Sequence, residues 1–107
     1  MFRQGADLVG YFAESCAGHD VGECYVIVSA AGNYLQLANG KNRTIQKPKK
    51  KNRAHLFVTK QAVPDFELLV KGEKVSSNLK VAGFIKNYSA RVRDSSAALG
   101  MTGSGGL

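Results

Sequence analysis

Apolar residues in the first sixty positions come in short runs broken by glycine-bearing turns, the pattern of strands rather than helices. LVGYFAES at residues 8–15 gives a first strand, ending at AGHDVG, a turn-forming run with two glycines. In ECYVIVSA the apolar residues are continuous, with Cys24, Val26 and Val28 on one face and Tyr25 and Ile27 on the other. Such a strand is buried on both faces and belongs near the centre of the core. Gly32-Asn33 reads as a hairpin turn into NYLQLAN, where Leu35 and Leu37 alternate with Tyr34 and Gln36. A turn at Asn39-Gly40 leads to RTIQ, a fourth strand, and AHLFVTK at residues 54–60 makes a fifth, with Leu56 and Val58 opposite Phe57. Sequential antiparallel strands at this spacing predict a small, mainly β domain closed as a compact barrel.

After Pro64 the alternation fades. FELLVKGEKV is read as a further strand, and SNLKVAGFIKNYSARV as a helix with Leu79, Val81, Ala82 and Ile85 on one face, helical where it packs on the barrel. From Asp94 the chain is rich in Gly, Ser and Ala and reads as a flexible tail. The expected organisation is a barrel over residues 5–62, an extension packed on it over 63–93, and the tail over 94–107.

The length of 107 residues and a hydrophobic share of 44% fit one globular domain with ordinary composition. No apolar run approaches the ~18 residues of a membrane span, and the N-terminus lacks the apolar core of a secretory signal. A cytoplasmic location without membrane association is expected, with Cys16 and Cys24 kept as thiols.

Charge changes the picture because it is unevenly placed. Of the net +7, residues 1–40 contribute −3, residues 41–60 contribute +8 with no acid among them, and residues 61–107 contribute +2. In KNRTIQKPKKKNRAHL, residues 41–56, half the positions are Lys, Arg or His. Charge of one sign at this density attracts a polyanion. If the segment stays extended, as Pro48 favours, Lys41, Arg43, Lys47, Lys49, Lys51 and Arg53 project from one face. Every second residue then lies ~6.6–7 Å from the last, a spacing that addresses successive phosphates. Lys50 completes the expected RNA-binding set, with His55 as a further contact. No aromatic ring lies between Lys41 and Leu56, which favours folded RNA over a base-stacked single strand. The bland alternatives are a solvated face, an edge strand guarded by lysines, or a nuclear-import signal at KPKKK.

Several features in order also resemble the bacterial KOW-domain RNA-binding proteins related to large-subunit ribosomal proteins. They are Gly5, Leu8-Val9 and Ser15, then the Ala17-Gly18-His19-Asp20-Val21-Gly22 turn, an apolar strand, and a Tyr on the next. Ala38-Asn39-Gly40-Lys41 and a Pro-Lys-x-Lys-Asn-x-x-His-Leu run at 48–56 follow. The likeness spans residues 5–60 and implies an SH3-like barrel, a turn shaped by Gly18 and Gly22, and RNA, above all ribosomal RNA, as partner. The turn here is less basic than in that family, since His19, Val21 and Glu23 occupy it. KOW barrels also dock on translation or transcription proteins, which gives a second functional class.

Other constellations are weaker. Cys16, His19, Cys24 and His55 do not follow a metal-ligand spacing, and no metal or other cofactor is expected. Ser15, His19 and Asp20 sit close in sequence, but Ser and Asp favour turns through local hydrogen bonds, so a catalytic triad is not inferred and no enzymatic activity is expected. The tail glycines lack the Lys-Ser/Thr of a phosphate loop.

Overall fold

The protein is described from a computed structural model covering the backbone of residues 5–100 and the side chains of residues 7–90. The chain is mainly β, with five antiparallel strands in one open sheet followed by two α-helices among the described residues. The strands are β1 (Tyr11–Ser15), β2 (Cys24–Ala31), β3 (Tyr34–Ala38), β4 (Lys49–Asn52) and β5 (Leu56–Ala62), in the spatial order β4-β3-β2-β1-β5. A single 3-10 turn, Arg53–His55, joins the two edge strands. The helices are α1 (Phe66–Val70) and α2 (Lys74–Gly100). Among the described residues no helix is long and apolar enough to cross a membrane.

The doubly apolar β2 divides two cores. Tyr25 and Ile27 join Leu8, Ala13, Leu35 and Leu37 on one face, with Leu56 and Val58 packed alongside. Val26 turns the other way, to Phe12, Val63, Leu69 and Val81, where α1 and α2 cover the sheet. Phe12 stacks on Tyr88 of α2 at a centroid distance of 4.5 Å. Leu35 and Leu37 are fully buried, so truncating either to Ala costs about 2–5 kcal/mol. The hairpin at Gly32-Asn33 forms as expected, with Ala31 paired to Tyr34 and a left-handed φ of 60° at Gly32.

Three elements differ from the sequence reading. RTIQ is not a strand. Residues 39–47 fold into successive side-chain-closed turns: Asn39 Oδ1 accepts from the backbone N–H groups of Lys41 and Arg43, and Thr44 Oγ1 from that of Lys47. Ile45 leaves this loop to pack on the helix-covered core, its N–H held by Asn78 Oδ1 of α2 at 2.9 Å. The fourth strand lies further on, in the lysine run itself, which has no apolar alternation and pairs through its backbone with β3.

FELLVKGEKV is also not a strand. It holds α1 and the start of α2, with Leu69 buried and Ser77 Oγ donating to the Leu69 carbonyl at 2.6 Å. The expected helix exists but is longer. Val81 is buried on its inner face with Ala82 and Ile85 half-buried, while Leu79 is 66% exposed. Its backbone continues through Gly100, into the segment read as a flexible tail, and residues 101–107 lie outside the described residues.

Candidate nucleic-acid interface

The basic stretch does not form a single extended ridge, because the turns over residues 39–47 break it and β4 divides its lysines between two faces. Opposed residues in an antiparallel pair share a face, and Leu35 pairs with Lys51 and Leu37 with Lys49. Both lysines therefore point to the side of the first core. Lys50, paired with Gln36, points the other way.

Lys49 and Lys51 meet Asp20, which the β1–β2 turn delivers to the same place. Lys49 Nζ lies 2.9 Å from Asp20 Oδ2 and Lys51 Nζ 2.7 Å from Oδ1, while Lys51 also donates to the Ala17 carbonyl at 2.8 Å. The Tyr25 hydroxyl donates to Oδ2 at 2.8 Å, and the Ser15 hydroxyl lies 2.7 Å from Oδ1 and 3.0 Å from the Ala17 carbonyl oxygen. The carboxylate is 12% exposed, and the side chains of Lys51 and Lys49 are 10% and 27% exposed. Burial by itself raises the carboxyl's pKa, but the hydrogen bonds from Lys51, Lys49, Ser15 and Tyr25 outweigh it and hold Asp20 well below the usual carboxylate range. Tyr25 is pushed up, first by burial and then by its bond to Asp20.

The turn's backbone fits this role. Gly22 N–H donates to the Ser15 carbonyl at 2.9 Å, closing the turn with both Gly18 and Gly22 at φ 91°. Ser15 and Asp20 thus bond to each other directly, with His19 exposed beside them.

The remaining bases of the stretch are more open. Lys41, Arg43, Lys47 and Lys50 are exposed, as is His55, whose carbonyl accepts from the Cys16 N–H. Arg53 is half-buried in the 3-10 turn, and its N–H donates to the Asn33 carbonyl at 2.8 Å. Of the eight basic residues in the stretch, two therefore anchor a carboxylate inside the fold, five face solvent, and Arg53 is half-buried.

Tyr34 on β3 is 42% exposed, and Lys50 Nζ sits 4.7 Å from the centroid of its ring. Alternation in NYLQLAN already puts Tyr34 and Gln36 opposite Leu35 and Leu37; what was missing was the knowledge that β4 lies beside them. An aromatic ring therefore does stand within the basic region.

Of the other candidates, Cys16 is exposed and Cys24 half-buried, its thiol pushed up to about 11 by burial and then by the Glu14 charge. No group of three or more His, Cys, Asp or Glu is placed to hold a metal ion among the described residues.

No family model and no curated protein matches this chain.

Proposed function

We propose that this chain is a non-enzymatic RNA-binding domain that contacts phosphates through Lys41, Arg43, Lys47 and Lys50, with Arg53 and His55 at the margin. The observation that carries this is the survival of four solvent-facing bases from one short segment after Asp20 has taken Lys49 and Lys51. Clustered exposed cations are the general source of nucleic-acid affinity. In this reading Lys49 and Lys51 are positioning residues that fix β4, and through it Lys50, against the β1–β2 turn.

The fold we infer is an SH3-like barrel of the KOW kind. Its support is the strand order, with β1 in contact with β5, and the 3-10 turn linking the two edge strands. The resemblance at residues 5–60 makes ribosomal RNA the proposed target, translation the proposed setting and the cytoplasm the proposed compartment.

A protein-docking module is the second reading, favoured by Leu68, Val75 and Leu79, each 66–68% exposed on the helices. A mobility-shift assay on ribosomal RNA fragments separates the two. Binding at low salt that weakens steeply as salt rises supports the RNA reading, and no binding at low salt overturns it.

A further inference from the structure

The exposed aromatic in the basic region gives the interface a second kind of contact. Tyr34, Gln36, Lys50 and Asn52 share one face of the β3–β4 pair, with Tyr34 opposite Asn52 and Gln36 opposite Lys50. That face is the one α1 and α2 cover further along, but Tyr34 itself is exposed there, with Lys50 Nζ over its ring. Asn52 Oδ1 is committed to the Ala54 N–H, whereas Gln36 makes no side-chain hydrogen bond among the described residues.

Beside Gln36 the surface drops into a groove of about 420 Å³ between the sheet and α1. Its apolar walls include Val28, Ile45, Pro48 and Phe66, and Ser29, Gln36 and Gln46 line it with polar groups. Gln46 is exposed, and its Oε1 accepts from Asn78 Nδ2 at 2.8 Å, so its amide N–H groups are not used in that bond. Apolar walls with a few hydrogen-bonding amides suit a planar heterocycle, and the acidic Glu67 on the same lining disfavours a phosphate inside. Lys47 stands exposed between Gln46 and Pro48, and Lys50 next to Tyr34, where a strand's phosphates would pass.

Resting on the RNA reading above, we propose that Tyr34 is a base-stacking platform and that the protein's RNA is single-stranded at this point. One nucleobase stacks on the Tyr34 ring, its neighbour lies toward the Gln36 groove, and Lys50 moves from the ring to the intervening phosphate. The exchange is favourable: an exposed cation–π contact contributes about two- to fivefold in affinity, and a base–aromatic stack about five- to 150-fold. This replaces the preference for folded RNA that the aromatic-free run between Lys41 and Leu56 suggested, because the ring comes from the neighbouring strand.

The test compares wild type, Tyr34→Ala and Tyr34→Phe for binding to an oligouridine, an abasic ribose-phosphate strand of the same length, and a hairpin of matched charge. Wild type is expected to bind oligouridine at least about fivefold more tightly than either of the others. Tyr34→Ala is expected to erase that advantage without changing the salt dependence, and Tyr34→Phe to retain it. Equal wild-type affinity for the oligouridine and the abasic strand overturns the stacking site even if Tyr34→Ala folds poorly. Undiminished oligouridine binding by a folded Tyr34→Ala overturns it as well. In both cases retained, salt-sensitive binding leaves the phosphate interface standing, whereas no binding to any strand at low salt removes both.

Discussion

Lys51 Nζ stands 2.7 Å from Asp20 Oδ1, a contact between residues 31 positions apart that fastens the edge strand to the β1–β2 turn. The pair is nearly enclosed and shares the carboxylate with Lys49, Ser15 and Tyr25, so each of Asp20's oxygens has two donors within hydrogen-bond distance. Breaking a buried pair by removing one partner costs more than the pair itself contributes, because the charge left behind loses its compensation.

Asp20→Asn is accordingly expected to destabilise the fold by about 3 kcal/mol in urea denaturation. Lys51→Ala should cost more than Lys49→Ala, since Lys51 is the more buried and also satisfies the Ala17 carbonyl. A denaturation midpoint unmoved by Asp20→Asn would contradict the anchoring role.

The same carboxylate sets a pH dependence. Its folded pKa is lowered relative to the unfolded chain, so its stabilisation is fully present above the unfolded value of about 3.9 and is lost as pH falls toward the folded value. Below about pH 4 the wild type should therefore lose up to about 1.4 kcal/mol per pH unit more than Asp20→Asn. Parallel curves of urea midpoint against pH for the two proteins would show that Asp20 gains no protons on unfolding.

Gly40 joins the loop to the long helix at close quarters. It has a φ of 78°, and a Cβ there would lie 2.7 Å from the Ala82 backbone nitrogen and also meet the Asn78 carbonyl oxygen. Gly22 shares the left-handed conformation at φ 91°, but a Cβ would meet nothing within 4 Å. Gly40→Ala should cost about 3 kcal/mol or more, and Gly22→Ala about 1–2 kcal/mol for backbone strain alone. Thermal melts that rank them in the opposite order would count against the packing of α2 on this loop.

The central strands were legible because their side chains obey a strand's period: Tyr25 and Ile27 against Val26 in β2, and Leu35 and Leu37 in β3, each reach the core their alternation assigns. β4 was not, because KKKN is held by backbone pairing to β3 and by a distant carboxylate, neither of which leaves an apolar signature. RTIQ misled for the converse reason. Ile45 marks a half-buried position, but its backbone partner Asn78 is 33 residues away, and only the assembled fold shows a loop there. In α1 the Phe66 and Leu69 spacing fits a helix, but the run was too short for periodicity to decide. The basic segment was legible as charge and not as geometry. Asp20 looked like a turn former, which it also is, and its pairing with Lys49 and Lys51 depends on a long-range closure that local sequence does not encode.

The division of the bases into inward anchors and outward contacts is tested most directly by the salt dependence of RNA binding. Log K against log salt is to be measured for wild type and for a Lys41→Ala, Arg43→Ala, Lys47→Ala, Lys50→Ala variant whose fold is checked by circular dichroism. Each phosphate contact contributes a slope of about −0.7 to −0.9, so losing four should make the variant's slope shallower by about three to three and a half units, with affinity lowered across all RNA sequences. A wild-type slope near zero, or an unchanged slope in the folded variant, would contradict the account.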